Sequence, residues 1–350
     1  MMKVFITGNL GYVGSSLTKY LKKKYTNINL TGYDTGFFSH SLTGADFFPE
    51  QGISIQYFGD VRDIKQSMLS GINAVVHLAG ISNDPIGLEF ENVTAHINRQ
   101  ASVKFAKMAA KEGVTNFVFA SSCSMYGQAE NGARKETDKT NPLTAYAKSK
   151  IGTEEDLKNI DLGNMNFTSL RFATACGWSN RLRLDLVLND FVASAITTGQ
   201  ITVLSDGSPW RPLIDVEDMS RAISWAINRN KKNGGQFLAV NTGSNSGNYQ
   251  VKEIAKSVSK FITGTKISIN KDALPDKRSY SVDFSLYEKL APDFLPVISL
   301  DESIERLKNG LDDMRFSDKD FRNSNYMRLN TLRKHIKSKR VGKDLRWKIF

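Results

Sequence analysis

The chain reads as a three-layer α/β protein built on a doubly wound parallel sheet, with a smaller C-terminal lobe appended. Three observations carry that reading. Short apolar runs suited to buried strands alternate with helix-length segments through the first 160 residues. The first strand runs straight into a glycine-rich turn, and polar loops at 81–85 and 121–124 both fall after strands, at the edge where such sheets gather ligands.

The first strand is Met2-Lys3-Val4-Phe5-Ile6-Thr7. It begins so early that no signal peptide is expected, and no apolar run approaches the roughly 18 residues of a membrane span. A cytoplasmic protein without membrane association is therefore expected. Two cysteines, Cys123 and Cys176, cannot form a disulfide framework and fit a reducing compartment.

Thr7-Gly8-Asn9-Leu10-Gly11-Tyr12-Val13-Gly14 then turns into a helix marked by Val13, Leu17, Tyr20 and Leu21. Such a turn lets backbone approach a pyrophosphate, with the helix N-terminus offering N–H groups to the anion. Asp34, twenty residues after Gly14, ends a second strand, 28–33. A carboxylate there accepts hydrogen bonds from an adenosine ribose and repels a 2′-phosphate, and no Lys or Arg follows closely. Together these predict a Rossmann-type nucleotide-binding unit that uses NAD rather than NADP.

A third strand, 53–58, leads to Gly59-Asp60-Val61-Arg62-Asp63, where Asp60 either faces the adenine amino group or caps the next helix. The fourth, 73–78, contains His77, read as a packed histidine, and ends at Ala79-Gly80, small enough for close approach to a cofactor. Ser82 and Asn83 in the following loop are substrate-contact candidates. One long helix is expected from about 91 to 111, with Asn98 on it.

The fifth strand, Phe117-Val118-Phe119-Ala120, delivers Ser121-Ser122-Cys123-Ser124 to the same edge. Alternation places Ser122 and Ser124 on one face and a buried Cys123 on the other. After Pro142, Tyr146 and Lys150 stand four apart, so they share a helical face. Hydroxyls at a strand end beside a Tyr/Lys helix have the look of an active site.

Taken jointly, the Gly8/Gly11/Gly14 turn, Asp34, Asp60, His77-Leu78-Ala79-Gly80, Asn98, Ser122 with Tyr126-Gly127, and Tyr146-x-x-x-Lys150 resemble the extended short-chain dehydrogenase/reductase family, in its nucleotide-sugar epimerase/dehydratase branch. The resemblance spans about residues 2–312. It implies that Tyr146 is the acid/base, Lys150 its partner and ribose ligand, and Ser122 a hydrogen-bond donor to the sugar oxygen. It also implies cofactor contacts from Gly8, Leu10, Gly11, Tyr12, Val13 and Gly14, from Asp34, Asp60 and Val61, from Leu78, Ala79, Gly80 and Asn98, and from Ser121 and Phe172. A phenol titrates near 10 and one neighbouring cation lowers it by about 1 to 3 units. The positive nicotinamide is thus expected to assist Lys150.

The branch divides by chemistry. Dehydratases carry Asp-Glu after the active hydroxyl, where this chain has Cys123 and Ser124; GDP-sugar 3,5-epimerases pair a Cys, here Ser124, with a His, and none of His40, His77, His96 or His335 falls in that loop. An epimerase working through a transient 4-keto sugar is therefore expected, with a net 4-dehydrogenase or 4-ketoreductase as the alternative and a non-catalytic NAD-binding regulator as a third reading.

In the second half, Thr174 stands where the family has an Asn against substrate, and Arg183 and Asn189 fall in a loop that often touches it. Arg211 and Arg278 match arginines on the sugar-nucleotide diphosphate, for which a guanidinium is suited by its fork of donors. Asp215 replaces the usual His of the Arg211 segment. The expected organisation is an NAD-binding domain over 1–173 with 201–243 returning to the sheet, a substrate lobe over 174–312, and an extension over 313–350. No metal site is expected.

The net charge is +11, but from Arg315 onward there are twelve Lys or Arg against three Asp, which is +9 and leaves +2 for the rest. A basic tail can touch nucleic acid; Leu329, Leu332, Ile336 and Trp347 give this one an apolar side, so packing on the body or a subunit contact is expected and nucleic acid is not. The resemblance implies a homodimer formed through helices around 91–111 and 143–158.

Overall fold

The computed structural model describes residues 1–45, 47–82, 84–128, 132–270, 272–273 and 279–348. Seven strands form one parallel sheet: β1 (Met2–Thr7), β2 (Ile28–Asp34), β3 (Ile55–Phe58), β4 (Ala74–His77), β5 (Asn116–Ser122), β6 (Asn166–Phe172) and β10 (Phe237–Thr242), in the order β10-β6-β5-β4-β1-β2-β3. The order reverses between β1 and β4, which opens a crevice at their carboxyl ends. Residues 4–6, 74–76 and 117–119 are nearly or fully buried, as continuous apolar strands covered on both faces must be.

Helices α1 (Tyr12–Lys24) and α7 (Val216–Ala226) cover one face, packing Leu17, Leu21, Ala222 and Ile223 on Val4, Ile6 and Val76. On the other face lie α4 (Ser102–Lys111) and α5 (Ala145–Lys158), with Phe105, Ala106 and Leu157 against Phe5, Val75 and Phe117. Phe117, Phe167 and Phe237 stack across three adjacent strands at 5.7 and 5.3 Å. Ring pairs of this kind add about 0.5–1.5 kcal/mol each beyond their burial.

The expected helix over 91–111 is continuous, but it is not α-helical throughout. After the short α2 (Asp84–Glu89) and α3 (Glu91–Ala95), the chain makes a π-helical segment, His96–Ala101, before α4. The segment carries Asn98, whose amide is needed by the loop after β4; helical periodicity does not register such a bulge.

Of the 201–243 stretch expected to return to the sheet, only β10 does so. The strand β8 (Gln200–Val203) pairs with β12 (Lys266–Ile269), and β9 (Trp210–Asp215) lies between β7 (Thr174–Cys176) and β11 (Asn248–Gln250). The smaller lobe has its own core, in which α6 (Val187–Thr198), α8 (Val251–Phe261) and α10 (Leu300–Asp313) bury Leu188, Val192, Ile254, Val258, Ile304 and Leu307. A short α9 (Ser285–Leu290) packs Tyr287 on the main domain.

The C-terminal extension folds back on the main domain, as its apolar side anticipates. Its helix α11 (Arg328–Lys337) places Leu332 in the core with Phe37, and Val341 and Leu345 follow. Its cations meet acids of the body: Arg322 pairs with Asp190, Arg333 with Glu89, and Arg346 with Asp63.

Candidate active site

The glycine turn sits at the sheet's reversal point and is tight for a physical reason. Gly8 has φ +75, and a Cβ there would fall 2.7 Å from the Ala79 nitrogen; one on Gly14 would fall 2.4 Å from the Gly8 carbonyl. Only glycine permits both the left-handed conformation and these approaches. Gly11 caps α1 without a side-chain bond, and the first turn holds no acid, so its N–H groups are left to an anion.

Asp34 reaches from β2 to this turn, accepting from Leu10 N at 3.1 Å and Gly36 N at 2.8 Å. One lone pair remains on each oxygen for a ribose hydroxyl. Burial raises its pKa while those N–H bonds oppose the rise. The cradle, the uncapped helix and the carboxylate fit a dinucleotide.

Other expected cofactor residues are committed elsewhere. Asp60 resolves to its capping alternative: it accepts from Arg62 N at 2.9 Å and takes the Arg62 guanidinium through both oxygens. Asn98 binds the loop backbone, accepting from Ile81 N at 2.8 Å and donating to Ile81 O and the Ser149 hydroxyl. It therefore fixes the loop after β4 beside Gly80, with its amide engaged within the protein. The Ser121 hydroxyl donates to Glu154 at 2.7 Å, and Phe172 is core. The Tyr12 hydroxyl donates to Gly177 O at 2.7 Å, linking the turn to the second lobe; with Val13, Val61, Leu78 and Ala79, it can meet a cofactor only by backbone or wall contact.

The catalytic candidates converge beside the turn. Thr144 caps α5 by accepting from Ala147 N, and its hydroxyl donates to Asp84, which ties α5 to α2. Tyr146 in the first turn meets the Ser122 hydroxyl. Lys150 donates to Ala120 O at 2.6 Å, and its Nζ is 5.6 Å from the Tyr146 ring centre. Desolvation pushes the Tyr146 phenol up to about 12, with Ser122 and Arg183 opposing it. Desolvation also pushes the Lys150 ammonium down to about 8, with Glu154 opposing.

A buried network behind this trio escapes sequence reading. Glu154, one turn beyond Lys150, forms a bidentate ion pair with Arg171 and accepts from Ser121 and Ser169. The spacing Tyr146, Lys150, Glu154 on one helical face was the available signal.

Strand alternation overreached at 123 and 124. The strand ends at Ser122, which accepts from Ser124 N at 3.1 Å, and residues Cys123–Tyr126 turn as a 3-10 helix. Cys123 is buried because that turn directs Sγ to Arg171 O at 3.0 Å, and burial raises its pKa strongly. The Ser124 hydroxyl is buried without a partner among the described residues.

Among the substrate candidates, Arg183 joins Ser82 (3.0 Å) and takes Asp185 bidentately, beside Tyr146. Thr174 meets the Tyr280 hydroxyl, whose pKa burial raises strongly and nearby Arg211 opposes. Asn189 is not available to substrate: its amide accepts from Gly177 N and donates to Arg183 O, fixing the arginine's loop. Asn83 and Arg278 lie outside the described residues. Asp215 caps α7 and accepts from Ser303, and burial raises it to about 6. Among the described residues no group of three or more His, Cys, Asp or Glu is placed to hold a metal.

The profile of the NAD dependent epimerase/dehydratase family matches residues 4–243. The UDP-glucose 4-epimerase of Corynebacterium glutamicum is 26% identical over 282 residues, covering 76% of this chain and 82% of that protein. The mouse UDP-glucose 4-epimerase is 25% identical over 300 residues, 76% and 84% of the two chains. The UDP-glucose-4-epimerase structure from Stenotrophomonas maltophila, with bound NAD and formylated UDP-arabinopyranose, superposes with a TM-score of 0.77 at 19% identity, covering 90% of this chain and 99% of the other. TunA, an NAD-dependent NDP-hexosamine 5,6-dehydratase, superposes at 0.75 and 19% identity, with 91% and 100% coverage.

Proposed function

Because the chain belongs to the NAD-dependent epimerase/dehydratase family, we propose that it is a nucleotide-sugar 4-epimerase that works through a transient 4-keto sugar. One observation carries the choice within the family: Ser122, Tyr146 and Lys150 converge at the sheet edge, while the positions of a dehydratase's acid pair hold the buried thiol of Cys123 and the hydroxyl of Ser124.

NAD, when bound, would supply the hydride acceptor and donor and a positive ring charge. Tyr146 takes the proton of the sugar 4-hydroxyl as the C4–H bond breaks, and returns it once the other face of the keto sugar has been reduced. Ser122 holds the sugar oxygen by a hydrogen bond. Lys150 keeps a cation under the phenol, and Ala120 O fixes where it points. Burial holds the phenol up at about 12, so Tyr146 is protonated at neutral pH. Tyr146 would need a further positive charge nearby to act as a base at neutral pH.

Arg211, beside Tyr280, is a described cation suited to a substrate diphosphate, and Arg183, paired with Asp185, borders Tyr146. The UDP-sugars named with the relatives are the first substrates to try. Incubation with UDP-glucose and UDP-arabinopyranose, read by NMR, should give a 4-epimer with no net NADH. Tyr146→Phe should lower turnover by about a hundredfold or more with the fold retained. Stoichiometric NADH without an epimer would move the assignment to a dehydrogenase, and an unchanged Tyr146→Phe would end it. The same reading includes a cytoplasmic location and a homodimer through the helices at 91–111 and 143–158; sedimentation at the 39.0 kDa of one chain would remove the dimer.

A further inference from the structure

The C-terminal extension lies beyond the matched family region, yet it wraps the loop that follows Asp34. The Trp347 indole donates to Thr35 O at 2.6 Å and packs on Phe37 at 5.3 Å, and His335 meets Phe37 O at 3.0 Å. Arg62 reaches Leu345 O, so the next loop of the adenosine side is held as well. From the first turn of α11, Arg328 enters the interior at 2% exposure.

Three arginines meet in this region, and they are not equally provided for. Arg181 pairs with Glu50 and Arg183 with Asp185. Arg328 lays its guanidinium on the Phe38 ring at 4.5 Å and donates from Nη2 to Arg181 O at 2.8 Å, while its Nη1 is buried with no hydrogen-bond partner among the described residues. The charges acting on it are those of Arg183, Asp185, Arg181 and Asp34, and burial lowers its pKa to about 9. Leaving a buried guanidinium nitrogen unpaired is costly, so its position asks for an anion.

The position says which anion. Arg181, whose carbonyl takes Arg328, donates its N–H to the Ser179 hydroxyl, and that hydroxyl donates to Tyr12 O at 2.8 Å, so a chain of three hydrogen bonds ties Arg328 to the uncapped start of α1. That is where a dinucleotide's diphosphate belongs. We propose that Arg328, delivered by the C-terminal extension, binds the diphosphate of the cofactor, making the extension a clasp that slows cofactor exchange. The proposal rests on the dinucleotide reading of the glycine turn. A guanidinium suits the task because its forked donors match adjacent phosphoryl oxygens and its charge persists when buried.

The test uses the full chain, with equilibrium affinities for NAD, ADP and adenosine measured on wild type, Arg328→Gln and Arg328→Lys. Arg328→Gln should weaken NAD and ADP by about ten- to a hundredfold and leave adenosine unchanged, because adenosine carries no phosphate. Arg328→Lys should weaken NAD and ADP by less. The cofactor-free melting temperature of Arg328→Gln should hold or rise, while the rise on adding NAD shrinks. Unchanged NAD affinity would overturn the assignment, as would equal weakening of adenosine, which would mark Arg328 as a support for the loop. If Arg328→Gln does not fold, Arg328→Lys carries the same comparison: full NAD affinity overturns the proposal, and a loss confined to NAD and ADP supports it. Wild type that binds neither NAD nor ADP would instead overturn the cofactor reading itself.

Discussion

His77 sits one strand from the glycine turn, clamped between the Thr7 hydroxyl at 2.6 Å and the Ser102 hydroxyl at 2.7 Å, under the rings of Phe105 and Phe119. Burial pushes its pKa from 6.5 down to about 3, with Lys150 adding to the effect. The sign follows directly. Above 6.5 the ring is neutral folded or unfolded; below it the unfolded chain takes up a proton that the folded one refuses. Stability is therefore lost as pH falls from about 6.5 toward 3, at up to about 1.4 kcal/mol per pH unit. Urea unfolding of His77→Gln should show a slope shallower by that amount across this window. Equal slopes would mean that His77 accepts a proton in place. At this scale the sequence was a fair guide to burial and a poor one to hydrogen-bond commitment. An apolar strand announces a packed His77, whereas nothing local reveals that the amides of Asn98 and Asn189 are consumed by the backbone of Ile81, Gly177 and Arg183.

Elements fix the site through close backbone contact, and the turn into α1 is the tightest case. A Cβ on Gly14 would meet Gly8 O at 2.4 Å, Asn9 Cα at 2.5 Å and Asn9 O at 2.6 Å. All three are backbone atoms, so no side chain can swing aside. Gly14→Ala should therefore move the turn away from the start of α1, lowering NAD affinity by at least about tenfold and stability by about 1–3 kcal/mol. Calorimetric titration and thermal melts read the two effects, and a variant that keeps NAD affinity would show that the turn does not cradle the cofactor. The turn was legible because its constraint is local: strand, glycines and helix follow one another in the chain. The Ser122 end of β5 was legible for the same reason. The 3-10 turn at 123–126 and the π-helical segment at 96–101 were not, since each answers to a distant partner, Arg171 in one case and the loop after β4 in the other.

At the scale of the whole molecule, the extension changes what surrounds Asp34. The residues following Asp34 carry no Lys or Arg nearby, which by itself favours NAD. Yet α11 and the residues after it bring Lys334, His335 and Arg340 to a cavity of about 440 Å³ that also includes Thr35, Gly36, His40 and Phe58. A rule drawn from the neighbours of Asp34 in sequence cannot register cations that arrive some three hundred residues later. Two influences thus oppose each other at a ribose 2′ position: a carboxylate fixed by Leu10 N and Gly36 N, and a basic wall with open space in front of it. The carboxylate should prevail in the native chain, because the dinucleotide reading sets it against the ribose, while cations across an open cavity are screened. Removing it should release the wall. Asp34→Ser is expected to shift the ratio of NADP to NAD affinity upward by about tenfold or more, and adding Lys334→Ala with Arg340→Ala should reverse that gain. Titration of both coenzymes on the three proteins measures this. If Asp34→Ser merely weakens NAD without strengthening NADP, the extension's cations do not reach the ribose, and selectivity rests on the β2 loop alone.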